Sequence, residues 1–162
     1  MQIQNPVQCG GTGQGAGSIL ASGYNIEIDI TPNENSPTWA SLRSGISSFS
    51  HTTNDVIEKL DYIEGNGWAF TEIIGAQYIV KVTGDRISGD PAQDFVFQRA
   101  LKIGCQRKTN CRITDPDKNI VQSVATIANI SLPAGKASQR ASFTFEIHFN
   151  GEPFYIPYEP EP

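Results

Sequence analysis

The chain has 162 residues, of which 38% are hydrophobic and 18% charged, and its formal net charge is −5. This length fits one domain with a single core, and the composition excludes a disordered chain. The acidic balance argues against a nucleic-acid-binding protein, because such proteins need clustered Lys and Arg to hold phosphates.

The cysteines and the chain start bear on the compartment. Cys9, Cys105 and Cys111 have no repeated spacing, so they do not form a disulfide framework, and we expect folding in a reducing compartment. No charged leader precedes an apolar run, and no segment approaches the roughly 20 apolar residues that span a bilayer. The sequence therefore predicts a protein made in a cytoplasm, without a membrane partner.

Residues 1–22 are rich in glycine and contain "CGGTGQGAGSILASG". Ordering such a run costs much backbone entropy and buries little, so we predict a flexible N-terminal arm. Gly11, Gly13 and Ala16 resemble part of a dinucleotide fingerprint, but a strand follows them where a helix would be needed. We therefore expect no bound cofactor here.

The first clear strand is "YNIEIDIT", residues 24–31, in which apolar and polar residues alternate. Its polar face carries Glu27 and Asp29. Residues 45–49 could form a short strand, and residues 52–66 fit a helical turn, a strand or a loop. Residues 68–74 and 77–83 are predicted to form a hairpin around Gly75-Ala76.

One amphipathic α-helix is predicted at about residues 90–104. Asp90 is suited to the N-cap, Pro91 to the first helical position and Gln93 to the third position of a capping box. Val96, Ala100 and Ile103 form one apolar stripe, and Phe97, Leu101 and Gly104 form the next; Gly104 is also placed to end the helix. We expect this helix to lie against a sheet.

Strands resume after the helix. "CRITD" leads through the turn "DPDKN" into residues 120–132, which form one long strand or two short ones. The last strand, "ASFTFEIHFNG", alternates cleanly and places Glu146 and His148 on its polar face. We divide the chain into the arm (1–22), a β-sandwich domain (23–151) and an extended Pro-rich C-terminal strap (152–162).

Patterns of catalytic or metal-binding residues are missing from the sequence. His51 and His148 are far apart, and Cys105 and Cys111 lack a second pair that would complete a zinc site. Asp85, Asp90 and Asp94 could hold a cation or act as acid and base, but turn and cap roles explain them better. We therefore predict a protein that is not an enzyme and that has no metal or cofactor.

From about residue 54 to residue 155 the chain resembles the major tail (tail tube) proteins of long, non-contractile-tailed bacteriophages of the siphovirus type. The resemblance lies in an ordered set of segments: "DYIEGNGWAFTEIIGAQYIVKVTGDRISGDPAQDFVFQRAL", "RITDPDKN" and "ATIANISLPAGKASQRASFTFEIHFNGEPFY". It covers about two thirds of the chain, and no single motif in it is unique to that family.

The resemblance implies a mainly β fold, a β-sandwich or tail-tube barrel with one flanking helix. It also implies six-membered rings that stack into a hollow tube in the virion tail, assembled in the cytoplasm of the bacterial host. The implied partners are further copies of the chain, the tape measure protein, the tail terminator and the distal tail or baseplate proteins. Genomic DNA would pass through the tube without specific binding.

Two sets of residues follow from this hypothesis. The loop and helix start, with Gly84, Asp85, Arg86, Gly89, Asp90 and Pro91, are candidate assembly contacts, and the helix would cover the outer side of the sheet. Glu27, Asp29 and Glu146 are candidate lumen-facing residues, because an anionic lining lets phosphates slide. Alternatives are a monomeric ligand-binding β-sandwich, a tail terminator, and an inner tube protein of a contractile or bacteriocin particle.

Overall fold

The computed structural model describes residues 18–160, so most of the predicted arm lies outside the described part of the chain. Short 3-10 turns occur at Ala21–Gly23, Ile63–Gly65 and Gly104–Arg107. The described part contains these strands and this helix: β1 Asn25–Asp29, β2 Trp39–Ser41, β3 Ile46–Thr52, β4 Val56–Leu60, β5 Phe70–Gly75, β6 Ile79–Asp85, α1 Pro91–Gln98, β7 Lys108–Thr114, β8 Ile120–Ala134, β9 Ser142–Phe149 and β10 Phe154–Ile156.

Eight strands form one antiparallel sheet in the order β2-β1-β7-β8-β9-β6-β3, and β10 also pairs with β8. Strand β8 is long enough to belong to two layers. Its residues 120–126 pair with β7, and its residues 125–134 pair with β9. Tyr24 beside β1 and Phe49 on β3 lie 5.2 Å apart between ring centroids although four strands separate β1 from β3 in the sheet. The sheet therefore folds over on itself.

The folded sheet has two halves, the first layer and the second layer. The first layer contains β2, β1, β7, residues 120–126 of β8, and β10. The second layer contains residues 126–134 of β8, β9, β6 and β3, so that Thr126 belongs to both layers. Alternate side chains of both layers meet in one core. Strand β9 confirms the predicted alternation, because Phe143, Phe145, Ile147 and Phe149 are all buried.

The predicted helix exists but is shorter than expected, ending at Gln98. Asp90 is its N-cap and accepts a hydrogen bond from the Gln93 backbone N–H (2.9 Å), as predicted. Phe95 and Val96 belong to the same core as the inward faces of the strands, so α1 packs on the inner side of the sheet. This side is opposite to the polar outer face of the second layer, and its position in a tube remains a prediction.

The residues after α1 do not continue its apolar stripes. Leu101 and Ile103 are 89% and 85% exposed, and Gly104 opens a 3-10 turn with φ +65°. Arg107 donates to the carbonyls of Lys102 and Ile127, which ties this segment to β8. The apolar spacing in the sequence therefore extends about one turn beyond the end of α1, and this made the predicted helix too long.

The predicted hairpin at Gly75-Ala76 is wrong, because β5 pairs with β4 and β6 pairs with β3 and β9. Residues 53–77 form a separate two-stranded hairpin whose base is closed by a hydrogen bond from Gln77 N–H to Thr53 O (2.8 Å). The short link between β5 and β6 joins two sheets and makes no tight turn. The ambiguous segment 52–66 supplies the partner strand β4.

The strands predicted after the helix are also found. The turn after β7 leads into β8, which is one long strand and not two. In the C-terminal segment, Phe154–Ile156 pair with β8 at the edge of the first layer and are exposed. No helix among residues 18–160 is long and apolar enough to cross a membrane.

Candidate assembly surfaces

The outer face of the second layer is an uncovered, hydroxyl-rich surface. Its residues lie in cross-strand rows given by the strand register: Ser48, Thr83, Thr144 and Ser131; Ser50, Lys81, Glu146 and Ala128; Thr52, Ile79, His148 and Thr126. The only formal charges in these rows at neutral pH are one Lys and one Glu. This polar face is therefore nearly neutral.

Both ends of the second layer are open within the described residues. Strand β3 pairs only with β6, and β8 has no partner beyond Thr126 on the side where β7 lies. The free part of β8, residues 128–134, is about as long as β3. Unpaired strand edges of this length are a hazard in a monomer, because they invite pairing with another chain.

The directions of the two open edges are complementary. Each neighbouring pair in the second layer is antiparallel, and the layer has four strands. Strand β3 therefore runs opposite to β8. If copies are arranged head to tail around an axis, β3 of one copy meets β8 of the next as an antiparallel pair.

In contrast, the edges of the first layer are protected against pairing with another chain. Strand β2 and strand β10 have only three residues each. Pro37 precedes β2, and Pro153 and Pro157 flank β10. Short edge strands beside proline resist further pairing. Of the two layers, only the second therefore has long open edges within residues 18–160, and near the end of the free part of β8 Pro133 has no N–H to donate.

An apolar groove of about 240 Å³ borders the free edge of β3. It lies between β3 and the first layer, and its apolar lining comes from Tyr24, Ile26, Leu42, Ile46 and Phe49. A second, more open groove of about 440 Å³ borders the free edge of β8, between Ala128-Asn129 and the segment 102–108. Each open edge thus has a depression beside it.

The β4–β5 hairpin carries more of the exposed large apolar side chains than any other described segment. Ile63 is fully exposed, and Trp68 is 81% exposed. The exposed large apolar side chains of this hairpin are Val56, Ile57, Tyr62, Ile63, Trp68, Phe70, Ile73 and Ile74. So many exposed large apolar side chains in one short segment are unusual in a monomeric protein, so the hairpin is a candidate contact with another chain.

The predicted assembly loop is held mainly by contacts within the chain. Arg86 pairs with Asp94 and donates to the side chain of the buried Gln93 (3.1 Å). Gln93 in turn donates to the Ser44 carbonyl (2.7 Å) and accepts from the Ile87 N–H (2.9 Å). These contacts fix the loop against the start of β3.

The glycines and acids of this loop also have structural roles. Gly84 is buried where β6 meets β3, and a Cβ there would lie 2.5 Å from the Gly45 carbonyl oxygen. Gly89 has φ +81°, which favours glycine. Asp85 lies 3.6 Å from Arg140, and Pro91 begins α1 beside its cap Asp90. Assembly contacts of these residues therefore remain a prediction.

The three predicted lumen residues are not brought together. Glu146 lies on the polar face, where His148 (2.9 Å) and Asn129 (2.6 Å) hydrogen bond to it and lower the pKa of its carboxyl. Glu27 lies on the outer face of the first layer and pairs with Arg112 (2.6 Å). Arg112 also stacks over Trp39, at 4.3 Å from the ring centroid.

Asp29 is placed differently from the prediction, because it is only 2% exposed. Its Oδ1 accepts from the N–H groups of Thr31 (2.9 Å) and Thr38 (3.0 Å), and its Oδ2 accepts from Asn110 (3.1 Å). Burial by itself raises the pKa of Asp29, but these hydrogen bonds outweigh it and hold the pKa below the ordinary value. Asp29 closes the turn after β1 and cannot line a channel.

Among residues 18–160, no group of three or more His, Cys, Asp or Glu side chains could hold a metal ion. His51 contacts the Tyr78 hydroxyl through Nδ1 (2.6 Å), inside an aromatic cluster with Tyr24 and Phe49. Burial, with a smaller contribution from Tyr24, raises the pKa of Tyr78 to about 12. This cluster packs the two layers together.

No protein-family model and no curated protein matches the chain. Solved structures do match its fold. One is a chain in the tail of an empty gene transfer agent (GTA) particle refined with C6 symmetry; the TM-score is 0.70 at 16% identity, over 86% of this chain and 99% of that chain.

Two further assemblies contain similar chains. The SPP1 tail tube gives a TM-score of 0.63 at 13% identity, over 88% of this chain and 81% of that chain. The sheath–tube complex of an extracellular contractile injection system, PVC, gives 0.55 at 12% identity, over 87% and 93%. The mainly β fold with one helix, as predicted, is therefore the fold found in tail tube assemblies.

Proposed function

We propose that this protein is a structural subunit of a phage-type tail tube and not an enzyme. The observation that carries the proposal is the four-stranded second layer, which has two open edges of opposite direction and of about equal length. Copies joined through these edges form one continuous sheet, and all of them have the same orientation along the ring axis. A heterologous contact of this kind closes into a ring when the rotation between copies divides a full turn.

Six copies per ring fit this proposal. The resemblance in the sequence implies six, and the GTA tail that shares the fold was refined with C6 symmetry. Joined second layers would then form one continuous barrel without open edges. The tube would belong to the virion tail, after assembly in the host cytoplasm.

In this arrangement the polar face lines the lumen. Glu146 keeps its proposed lumen position, whereas Glu27 lies on the first layer and faces the outside of the tube. A hydroxyl-rich face with balanced charges gives a polyanion few fixed cations to bind. Genomic DNA could therefore slide along it, as could a tape measure protein before ejection.

The apolar hairpin and the arm are the segments that we assign to contacts between stacked rings. The hairpin projects as a separate two-stranded sheet and needs a partner to cover its apolar side chains. The loop at residues 84–91 would act beside β3, where it exposes Ile87. The tail terminator and the distal tail or baseplate proteins would meet the two ends of the tube.

Electron microscopy of the purified, concentrated protein tests the proposal. We expect rings or tubes with a central channel by negative stain, together with large particles in sedimentation velocity. A protein that stays monomeric at millimolar concentration, and whose melting temperature rises with a small ligand, would favour the ligand-binding β-sandwich and contradict a tube.

A further inference from the structure

We infer that the apolar groove beside β3 is a socket for Leu132 of the next copy, so that each subunit core is completed by its neighbour. This inference rests on the proposed function. The occupant is a second copy of this chain, and the contact point is the edge of β8. The groove and Leu132 lie at opposite ends of the second layer, so Leu132 cannot reach the groove of its own copy.

The strand register turns Leu132 toward the inner side of the second layer. Ser131 and Ala134 pair with Thr144 and Ser142, and the register shift between them sets Leu132 and Pro133 opposite the buried Phe143, on the inner side. Ile130 packs against the core of its own copy. Leu132 is nevertheless 51% exposed in one copy.

The groove lies where a strand added to β3 would place its inner side chains. It separates β3 from the first layer, and its apolar lining includes Leu42, Ile46 and Phe49. A neighbouring β8 paired with β3 would extend the second layer across this groove. Its inward Leu132 would then contact the exposed flank of the core, and its outward Ser131 would continue the polar face.

The size and chemistry of the groove agree with this occupant. Its volume of about 240 Å³ is large enough for an aliphatic side chain and part of its strand. Polar residues also line the groove, among them Arg43, which donates to the carbonyl of Ser22, another lining residue (2.9 Å). Burial of Leu132 would add apolar contact to the backbone pairing and would fix the register of the two edges.

A cysteine cross-link tests the inference. The test variant carries Leu132→Cys and Ser47→Cys in a background with Cys9→Ser and Cys105→Ser. Ser47 is exposed and lines the groove. After assembly and treatment with a short bismaleimide, we expect a ladder of covalent multimers that ends at the closed ring. Either cysteine alone should give no ladder, because each junction needs both.

Val124→Cys replaces Leu132→Cys in the matched control. Val124 lies on the same strand and is similarly exposed (46%), but it belongs to the first layer. Tubes that assemble normally without a ladder, or with the same ladder from the Val124 control, would overturn the inference and leave the proposed function standing. A chain that forms no rings or tubes in any variant would instead overturn the proposed function.

A second measurement does not depend on cross-linking. Leu132→Ala should raise the critical concentration for assembly about tenfold or more, since a buried leucine contributes strongly to association. The monomer should melt at an unchanged temperature, because Leu132 is exposed in one copy. An unchanged critical concentration would contradict the socket.

Discussion

At the residue scale, Asp29 shows that a correctly predicted strand alternation can still assign a polar side chain to the wrong environment. The alternation of β1 puts Asp29 on the face of Glu27, yet Asp29 is buried by the turn that follows. The sequence "DITP" does contain a signal for this, because an Asp commonly accepts from the N–H two residues later. The bond to Asn110 joins residues far apart in sequence and could not be predicted.

Asp29→Asn should destabilise the fold by about 1–3 kcal/mol, because the new amide would turn a donor toward an existing donor. Urea unfolding at pH 7 measures this loss. Glu27→Gln is the control and should cost less, since its carboxylate is partly exposed to solvent and its bond to Arg112 can persist. Equal losses for the two variants would contradict the assigned role of Asp29.

The same carboxyl predicts a pH dependence. The pKa of Asp29 is lowered in the folded state, so its contribution to stability is present above the unfolded pKa of about 3.9 and is lost as the pH falls through the folded value. The stability difference between wild type and Asp29→Asn should therefore shrink as the solution becomes more acidic. A constant difference from pH 7 to pH 2 would argue against this linkage.

The cysteines should differ sharply in reactivity. Cys111 is fully buried, and burial with a nearby Asp29 raises the pKa of its thiol, whereas Cys105 is exposed. Thiolate is the reactive form. A short iodoacetamide pulse on the native protein should therefore alkylate Cys105 and spare Cys111, as measured by peptide mass spectrometry. Rapid labelling of Cys111 would contradict its burial in the core.

At the element scale, the sequence predicted the features that depend on a few neighbouring residues, such as the start of the helix. Asp90, Pro91 and Gln93 mark the helix start because a cap acts within one turn. The helix end was less predictable, since Leu101 and Ile103 keep the apolar spacing although they lie outside the core. The pairing of β5 with β4 depends on long-range register and could not be read from a two-residue link.

The hairpin should be separable from the domain. Thr53 and Gln77 are hydrogen bonded at its base, so residues 54–76 can be replaced by Asn-Gly. We expect the shortened chain to keep its melting temperature and β circular dichroism but to form no long tubes. The matched variant Ile63→Ser with Trp68→Ser keeps the hairpin and should also impair tubes; normal tubes from both would exclude the hairpin from assembly.

At the scale of the whole molecule, the sequence resemblance predicted the fold, and the geometry of the layers adds which surface would face inward. The order of segments indicated a sandwich, but the direction of each open edge follows only from the complete topology. The position of α1 shows the same limit, because its apolar stripe indicated packing without indicating which side of the sheet it covers.

The last prediction separates the two possible linings of the tube. Glu146→Lys adds positive charge to the polar face of every copy, beside Lys81 on the paired strand. If this face lines the lumen, particles carrying the variant should assemble but eject DNA more slowly, because new cations hold phosphates. Release of DNA, followed by dye fluorescence, measures the rate. Glu27→Lys makes the same charge change on the first layer and should leave ejection unchanged. Slow ejection from Glu27→Lys with normal ejection from Glu146→Lys would place the first layer inside the tube.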